Sequence, residues 1–237
     1  MPKIKSGIWI TGASSGIGKA AAKEFARTGA KVYASARRLT ELERLDKELS
    51  QDKLSVEILP CNVASSQNVD QTVKKIYTSG KIDCLINNAG ITSYKAAVDN
   101  SVQEINDVIN INMYGSIYCA KYMLPNFIKQ GGGTIINVLS TAVSSLFTES
   151  SAYTASKMGL LGYMNVLREE VRKYNIRIIN LVPGATETPM WPSEIRKEKS
   201  DRMMTGEDIA QLMVWAYLQK GNMVLEEITI RPLQGNL

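Results

Sequence analysis

No histidine occurs in the 237-residue chain. Histidine is the side chain whose ordinary pKa falls between pH 5 and 8, so proton transfer near neutrality must use a group shifted there by its surroundings. Cysteine is scarce too. Cys61, Cys84 and Cys119 are scattered without Cys-x-x-Cys spacing, and with no histidine to complete a ligand set no metal site is expected. The thiols read as small buried groups in a reducing compartment. No apolar run approaches the roughly 18 residues of a membrane span, and Met1 to Gly7 leads directly into a short apolar strand without a signal-peptide core. A cytoplasmic protein without membrane attachment is expected. An excess of one charge is also missing: 28 Lys and Arg stand against 23 Asp and Glu, interleaved as between Arg37 and Lys53. That reads as a solvated mixed surface, with no nucleic acid as partner.

The composition that remains, 44% hydrophobic and 22% charged, is that of an ordinary globular protein. The length suffices for one large α/β domain spanning residues 1–237. Ile4 to Ile10 reads as a strand entering Thr11-Gly12-Ala13-Ser14-Ser15-Gly16-Ile17-Gly18, and a helix-forming run to Thr28 follows. A glycine-rich turn between strand and helix is the setting in which the free N–H groups and dipole of a helix N-terminus favour a phosphate. The second strand, Lys31 to Ser35, ends at Ala36-Arg37-Arg38. A dinucleotide enzyme reads the adenosine ribose there: an acidic residue would select NAD, whereas two guanidiniums suit a 2′-phosphate.

Alternation continues with a helix at Leu39 to Leu49, a strand at Leu54 to Leu59, a helix at Val69 to Thr78 and a buried strand at Asp83 to Ile86. Ser101-Val-Gln-Glu104 forms a capping box for a helix reaching Leu124, with a kink or break at Pro125. Ile105, Ile109, Asn112 and Ser116 share one stripe of it, so Asn112 is a polar group on an apolar face that needs a partner. Gly133 to Leu139 and the nearly all-apolar Ile176 to Val182 are further strands. Thr205-Gly-Glu-Asp208 caps a last helix and Glu227 to Ile230 is a last strand. This pattern specifies a doubly wound parallel sheet with its site at the strands' C-terminal ends, where Ser14, Arg37, Asn88, Ser140 and Gly184 all fall.

Tyr153 and Lys157 are four residues apart, hence on one face of a helix about 6 Å apart along its axis. A tyrosine pKa of about 10 must fall by some three units for neutral-pH chemistry, or roughly 4 kcal/mol. One ammonium about 4 Å away at an effective dielectric of about 20 supplies roughly that. The same spacing also occurs on half-exposed helix faces without function.

In these motifs the chain resembles the short-chain dehydrogenase/reductase (SDR) family over nearly its whole length. Thr11 to Gly18 matches Thr-Gly-x3-Gly-x-Gly and Asn87 to Gly90 matches Asn-Asn-Ala-Gly. Asn112 lies before Gly115, Ser140 thirteen residues before Tyr153, Lys157 completes Tyr-x3-Lys, and Pro183-Gly184 precedes Thr188. The resemblance implies a Rossmann-type fold of seven parallel strands flanked by helices. It implies that Tyr153 exchanges a proton with the substrate oxygen, that Ser140 bonds that oxygen, and that Lys157 holds the nicotinamide ribose and lowers the Tyr153 pKa. Asn112 would order a water linked to Lys157. Cofactor contacts would come from Gly12, Ser14, Ser15, Gly16, Ile17, Gly18, Arg37, Arg38, Asn62, Val63, Asn88, Ala89, Gly90, Tyr153, Lys157, Pro183, Gly184, Thr186 and Thr188. Two features depart from the usual pattern: Asn62-Val63 replaces an Asp-Val pair at the adenine, and Ile228 to Pro232 resembles small-alcohol and 3-hydroxy-acid dehydrogenases more than fatty-acid-synthesis reductases.

The expected function is NADP-dependent hydride transfer between a small alcohol or hydroxy acid and its carbonyl, with NADPH preferred over NADH. A catalytically idle NADP-binding redox sensor and a 3-oxoacyl reductase are the alternatives. Residues 185–204 would form a substrate lid, apolar at Met190, Trp191 and Pro192. A homodimer or homotetramer is implied, with Gly159 and Gly162 allowing close approach of helices.

Overall fold

The computed structural model describes residues 4, 6–219, 221–235 and 237. Seven parallel strands form one sheet in the order β3-β2-β1-β4-β5-β6-β7. They are β1 (Gly7–Thr11), β2 (Lys31–Ser35), β3 (Glu57–Ile58), β4 (Ile82–Asn87), β5 (Gly133–Val138), β6 (Ile176–Pro183) and β7 (Glu227–Ile230). The helices are α1 (Gly16–Arg27), α2 (Leu39–Gln51), α3 (Ser66–Ser79), α4 (Val102–Ile109), α5 (Gly115–Gln130), α6 (Ser151–Val171), α7 (Ser193–Lys199) and α8 (Gly206–Leu218).

Alternation along each strand feeds two cores. Ile8 and Ile10 of β1 join α1, α2 and α8 on one face, while Trp9 between them joins α3, α5 and α6 on the other. Polar groups cross the second core in a single row. Asn87, Asn137 and Asn180 occupy one register line of β4, β5 and β6, and each donates its amide to the next at 2.9 Å. Buried amides paired in this way fix the relative height of three strand ends, and the site stands on those ends.

Several boundaries differ from those expected. The first strand occupies Gly7–Thr11 rather than Ile4 to Ile10, and Lys5 lies outside the described residues. The edge strand β3 shrinks to two residues, because it has a neighbour on one side only. Both capping boxes form, Ser101 with Glu104 and Thr205 with Asp208. The long helix expected from Ser101 is interrupted, but not at Pro125, which lies inside α5. The break is a π turn at Asn110–Tyr114, where Gly115 N–H reaches the Asn110 carbonyl. Ile105 is exposed; the buried stripe starts at Val108 and continues through Ile111, Asn112, Gly115, Ser116 and Cys119. The π turn thus turns Asn112 inward, and such turns recur at functional sites. No described helix is long and apolar enough to cross a membrane, and no group of three or more metal-ligating side chains occurs among the described residues.

Candidate active site

From β1 the chain winds outward to β2 and β3, then returns to build β4 through β7 on the other side, leaving a crevice above the C-terminal ends of β1 and β4. A cavity of about 1050 Å³ lies there. Every site residue expected from the sequence lines it except Gly18 and Asn112, which support it from behind.

At one end is the glycine-rich turn. Gly12 sits at φ +66°, which a side chain would strain, and a Cβ on Gly18 would lie 2.2 Å from the Gly12 carbonyl oxygen and 2.4 Å from Asn88 Nδ2. Asn88 is the tie: its amide donates to the carbonyls of Thr11 (3.0 Å) and Gly12 (3.1 Å). Thr11 Oγ1 accepts from the backbone N–H groups of Asn88 and Ala89. The turn is therefore bolted to β4. No side chain caps α1, so the N–H groups of its first turn point free toward the cavity, as an anion site requires.

Arg37 and Arg38 are exposed where β2 ends. Neither guanidinium has an ion-pair or hydrogen-bond partner among the described residues. That leaves two uncommitted cations on the wall of the cavity, where β2 ends. Asn62 keeps one role an aspartate would have: its Oδ1 accepts from Ala64 N–H at 3.2 Å, and the chain turns there into α3. Thr186 lines the cavity, yet its hydroxyl is committed to the Gly184 carbonyl at 3.1 Å. Thr186 also bridges to Met204, which pins both ends of the 185–204 segment together.

At the other end, α6 presents Tyr153 and Lys157. The Lys157 Nζ is 5.7 Å from the centre of the Tyr153 ring and donates to the Val138 carbonyl at 2.7 Å. Burial pushes the Lys157 pKa down to about 8. Burial also raises the Tyr153 pKa, with a hydrogen bond from Ser140 pulling the other way. This differs from the expected depression of the tyrosine by the lysine. The ammonium is turned to a strand carbonyl and is itself discouraged from carrying charge, so desolvation decides the phenol's state. The Tyr153 phenol thus keeps its proton at neutral pH. Ser140 stands beside it, held by Ala142 N–H at 3.2 Å to its Oγ.

Asn112 bonds to protein through both ends of its amide. Its amide donates to Ile91 O (2.9 Å) and Ser156 Oγ (3.0 Å), and its Oδ1 accepts from Ile91 N–H (2.8 Å). It clamps the loop after β4 against α6. Gly90 lies between Asn112 and Lys157: a Cβ there would be 3.4 Å from Asn112 Oδ1 and 3.8 Å from Lys157 Nζ.

The Lys157 shift has a sign that stability reports. Its folded pKa of about 8 lies below the ordinary 10.5, so the ammonium opposes folding at every pH below 8, and this cost fades as pH rises from 8 to 10.5. Lys157→Met, similar in shape and uncharged, is expected to melt higher than the wild type at pH 7. The difference should narrow between pH 8 and 10.5, as checked by thermal unfolding of the two proteins side by side.

Sequence comparison agrees with the geometry. A match to the family described as short chain dehydrogenase runs over residues 7–199. The chain belongs to the short-chain dehydrogenase family. Among its relatives, sepiapterin reductase of Chlorobaculum tepidum is 33% identical over 242 residues, covering 99% of each chain. An uncharacterized oxidoreductase of Staphylococcus haemolyticus is 32% identical, covering 94% of this chain and 96% of the other. A metagenomic short-chain oxidoreductase solved in complex with NADP superposes with a TM-score of 0.84 at 26% identity, covering 96% of each chain. A short-chain dehydrogenase/reductase of Mycobacterium marinum superposes at 0.88 with 25% identity, covering 97% of this chain and 95% of that one.

Within this short-chain dehydrogenase, several cavity residues have no counterpart among the sequence-derived expectations, three large ones among them. Tyr94 lies on the loop between β4 and α4, and Leu146 and Phe147 on the loop between β5 and α6. Large apolar side chains in irregular segments directly after strand ends are the signal that points to them, since such loops carry binding residues.

Proposed function

We propose that the protein is an NADPH-dependent carbonyl reductase in which Tyr153 donates the proton, Ser140 bonds the carbonyl oxygen, and Lys157 holds the nicotinamide ribose. The observation that carries this reading is one cavity with unpaired Arg37 and Arg38 at one end and the Tyr153, Ser140 and Lys157 cluster at the other. The dinucleotide fits the residues present: free α1 N–H groups for pyrophosphate, guanidiniums for the 2′-phosphate, and the Pro183-Gly184 strand end for the nicotinamide side. When bound, the reduced nicotinamide supplies the hydride. The chain supplies the rest. Ser140 and Tyr153 hydroxyls are preorganised donors for the oxygen that gains charge as the carbonyl is reduced, and Tyr153 passes its proton to that oxygen. Residues 185–204 exclude water as a lid, with Met190 and Trp191 facing the cavity.

Cofactor choice provides the test. NADPH is expected to bind at least tenfold more tightly than NADH, because a charge-assisted phosphate bond is worth about 1.5–3 kcal/mol. Arg37→Ala with Arg38→Ala should weaken NADPH by about ten- to a hundredfold while leaving NADH within about twofold, and Ala36→Asp should shift preference toward NADH. Fluorescence titration reads all three; equal dissociation constants for the two cofactors in the wild type contradict the reading.

The assembly proposed is a homodimer or homotetramer built on α4 and α6. Val102, Ile105, Met158, Tyr163 and Val166 expose large apolar surface on these helices, which lie against each other. Gly162 has open space above it, whereas Gly159 is used within the chain, against Met113 Sδ. Sedimentation at micromolar concentration should give two or four times 26.1 kDa. A monomer there counts against this face.

A further inference from the structure

On the reading of this site as a carbonyl reductase, the walls beside Tyr153 restrict what the carbonyl is attached to. Tyr94 and Trp191 come from distant segments, the β4–α4 loop and the lid, and meet at the cavity with ring centroids 5.6 Å apart and planes at 33°. Tyr94 takes a left-handed backbone conformation, φ +48°, which is costly for a bulky residue and concentrates at functional sites. Its hydroxyl has no hydrogen-bond partner among the described residues. Burial and the nearby Tyr153 phenol both keep it un-ionised, so it is a neutral donor beside the reacting position.

Leu146, 96% exposed, and Phe147, 41% exposed, add little-covered apolar surface to this end. Charge is scarce. Among the described residues no Asp or Glu side chain lines the cavity, and beyond Lys157 the only described cation at the substrate end is Lys199 at the end of α7. A carboxylate substrate would find one half-buried lysine and no fork of donors.

We infer that the substrate is a ketone or aldehyde attached to a planar, uncharged ring, which packs against the Tyr94–Trp191 pair, and that these two residues set specificity. Flat rings gain from offset or edge contacts with aromatic side chains, whereas a puckered ring of equal size gains only burial.

Two matched pairs of probes test this on the NADPH-loaded protein. Benzamide and cyclohexanecarboxamide resemble the substrate but cannot be reduced, so calorimetry compares ring shape without chemistry. Acetophenone and cyclohexyl methyl ketone make the same comparison in turnover, with acetoacetate as the charged control. Conjugation makes acetophenone the less electrophilic ketone, so a preference for it reports binding. Benzamide should bind about fivefold or more tightly than its saturated partner, in keeping with one or two aromatic contacts. Acetophenone should have the higher kcat/KM, with acetoacetate the poorest of the three. Trp191→Leu should bring the aromatic-to-saturated ratio to about one in both assays. Equal or stronger binding of cyclohexanecarboxamide, or a preference for acetoacetate, overturns the inference. Preferential benzamide binding with no ketone consumed would sustain the ring site and refute the reductase reading instead.

Discussion

Tyr153→Phe is expected to slow carbonyl reduction by about 10² to 10⁴, the usual worth of a positioned acid, while NADPH affinity stays within about twofold of wild type. The separation follows from the geometry. The ring stays in place on α6, Lys157 keeps its bond to the Val138 carbonyl, and the glycine-rich turn lies at the far end of the cavity. Only the hydroxyl is lost. No histidine exists to take its place, and Ser140, whose ordinary acidity is far weaker than a phenol's, can hold the oxygen but not supply the proton. The loss should therefore appear in kcat, with KM for the ketone changing little. Steady-state kinetics together with a cofactor titration check both halves.

The second large effect concerns a residue that touches no substrate. Gly18→Ala places a methyl 2.2 Å from the Gly12 carbonyl oxygen and 2.4 Å from Asn88 Nδ2, and neither can retreat without breaking the turn's attachment to β4. Overpacking of this kind costs about 1–3 kcal/mol, so the melting temperature should fall by roughly 2 to 12 °C. Cofactor binding should suffer more. If the shift misaims two backbone donors to the pyrophosphate, at about 1.5–3 kcal/mol each, NADPH affinity falls by about a hundredfold or more. Gly131→Ala is the control: this glycine has a positive φ, which Gly18 has not, but nothing lies within 4 Å of its added Cβ and it is outside the cavity. Melting curves and cofactor titrations on the two variants separate loss of the turn from general backbone strain.

Much of this is legible in the sequence. Short, nearly continuous apolar runs alternating with helix-forming segments carry the layer order, because strands of a parallel sheet are buried on both faces. The capping boxes at Ser101 and Thr205 were readable because they consist of local bonds between residues three apart. The π turn at Asn110–Tyr114 was not. It arises from contacts of Asn112 with Ile91 and Ser156, twenty-one and forty-four residues away, which no local pattern encodes. For the same reason Pro125 was misleading, since its local effect on a helix was overridden by packing in α5.

The site shows the same division. Residues identified by motif, from Gly12 to Thr188, line one cavity or, as Gly18 and Asn112 do, support it from behind, while Tyr94, Leu146 and Phe147 are not legible because loop aromatics and aliphatics have no spacing rule. The expectation that Lys157 acidifies Tyr153 failed in the structure for a simple physical cause. The spacing carries proximity on one helix face, but the desolvation of both groups depends on the walls of the cavity, which the spacing does not contain.

The most direct test of the account is a single-turnover experiment with NADPH carrying deuterium in its transferable position, using wild type and Tyr153→Phe loaded with cofactor to equal occupancy. Mass spectrometry of the product alcohol counts the label. The account predicts one deuterium on the carbinol carbon per NADPH consumed by the wild type, and the same labelled product formed about 10² to 10⁴ times more slowly by the variant. Tight NADPH binding with no labelled alcohol from any neutral or acidic ketone, or wild-type rates from Tyr153→Phe, would contradict it.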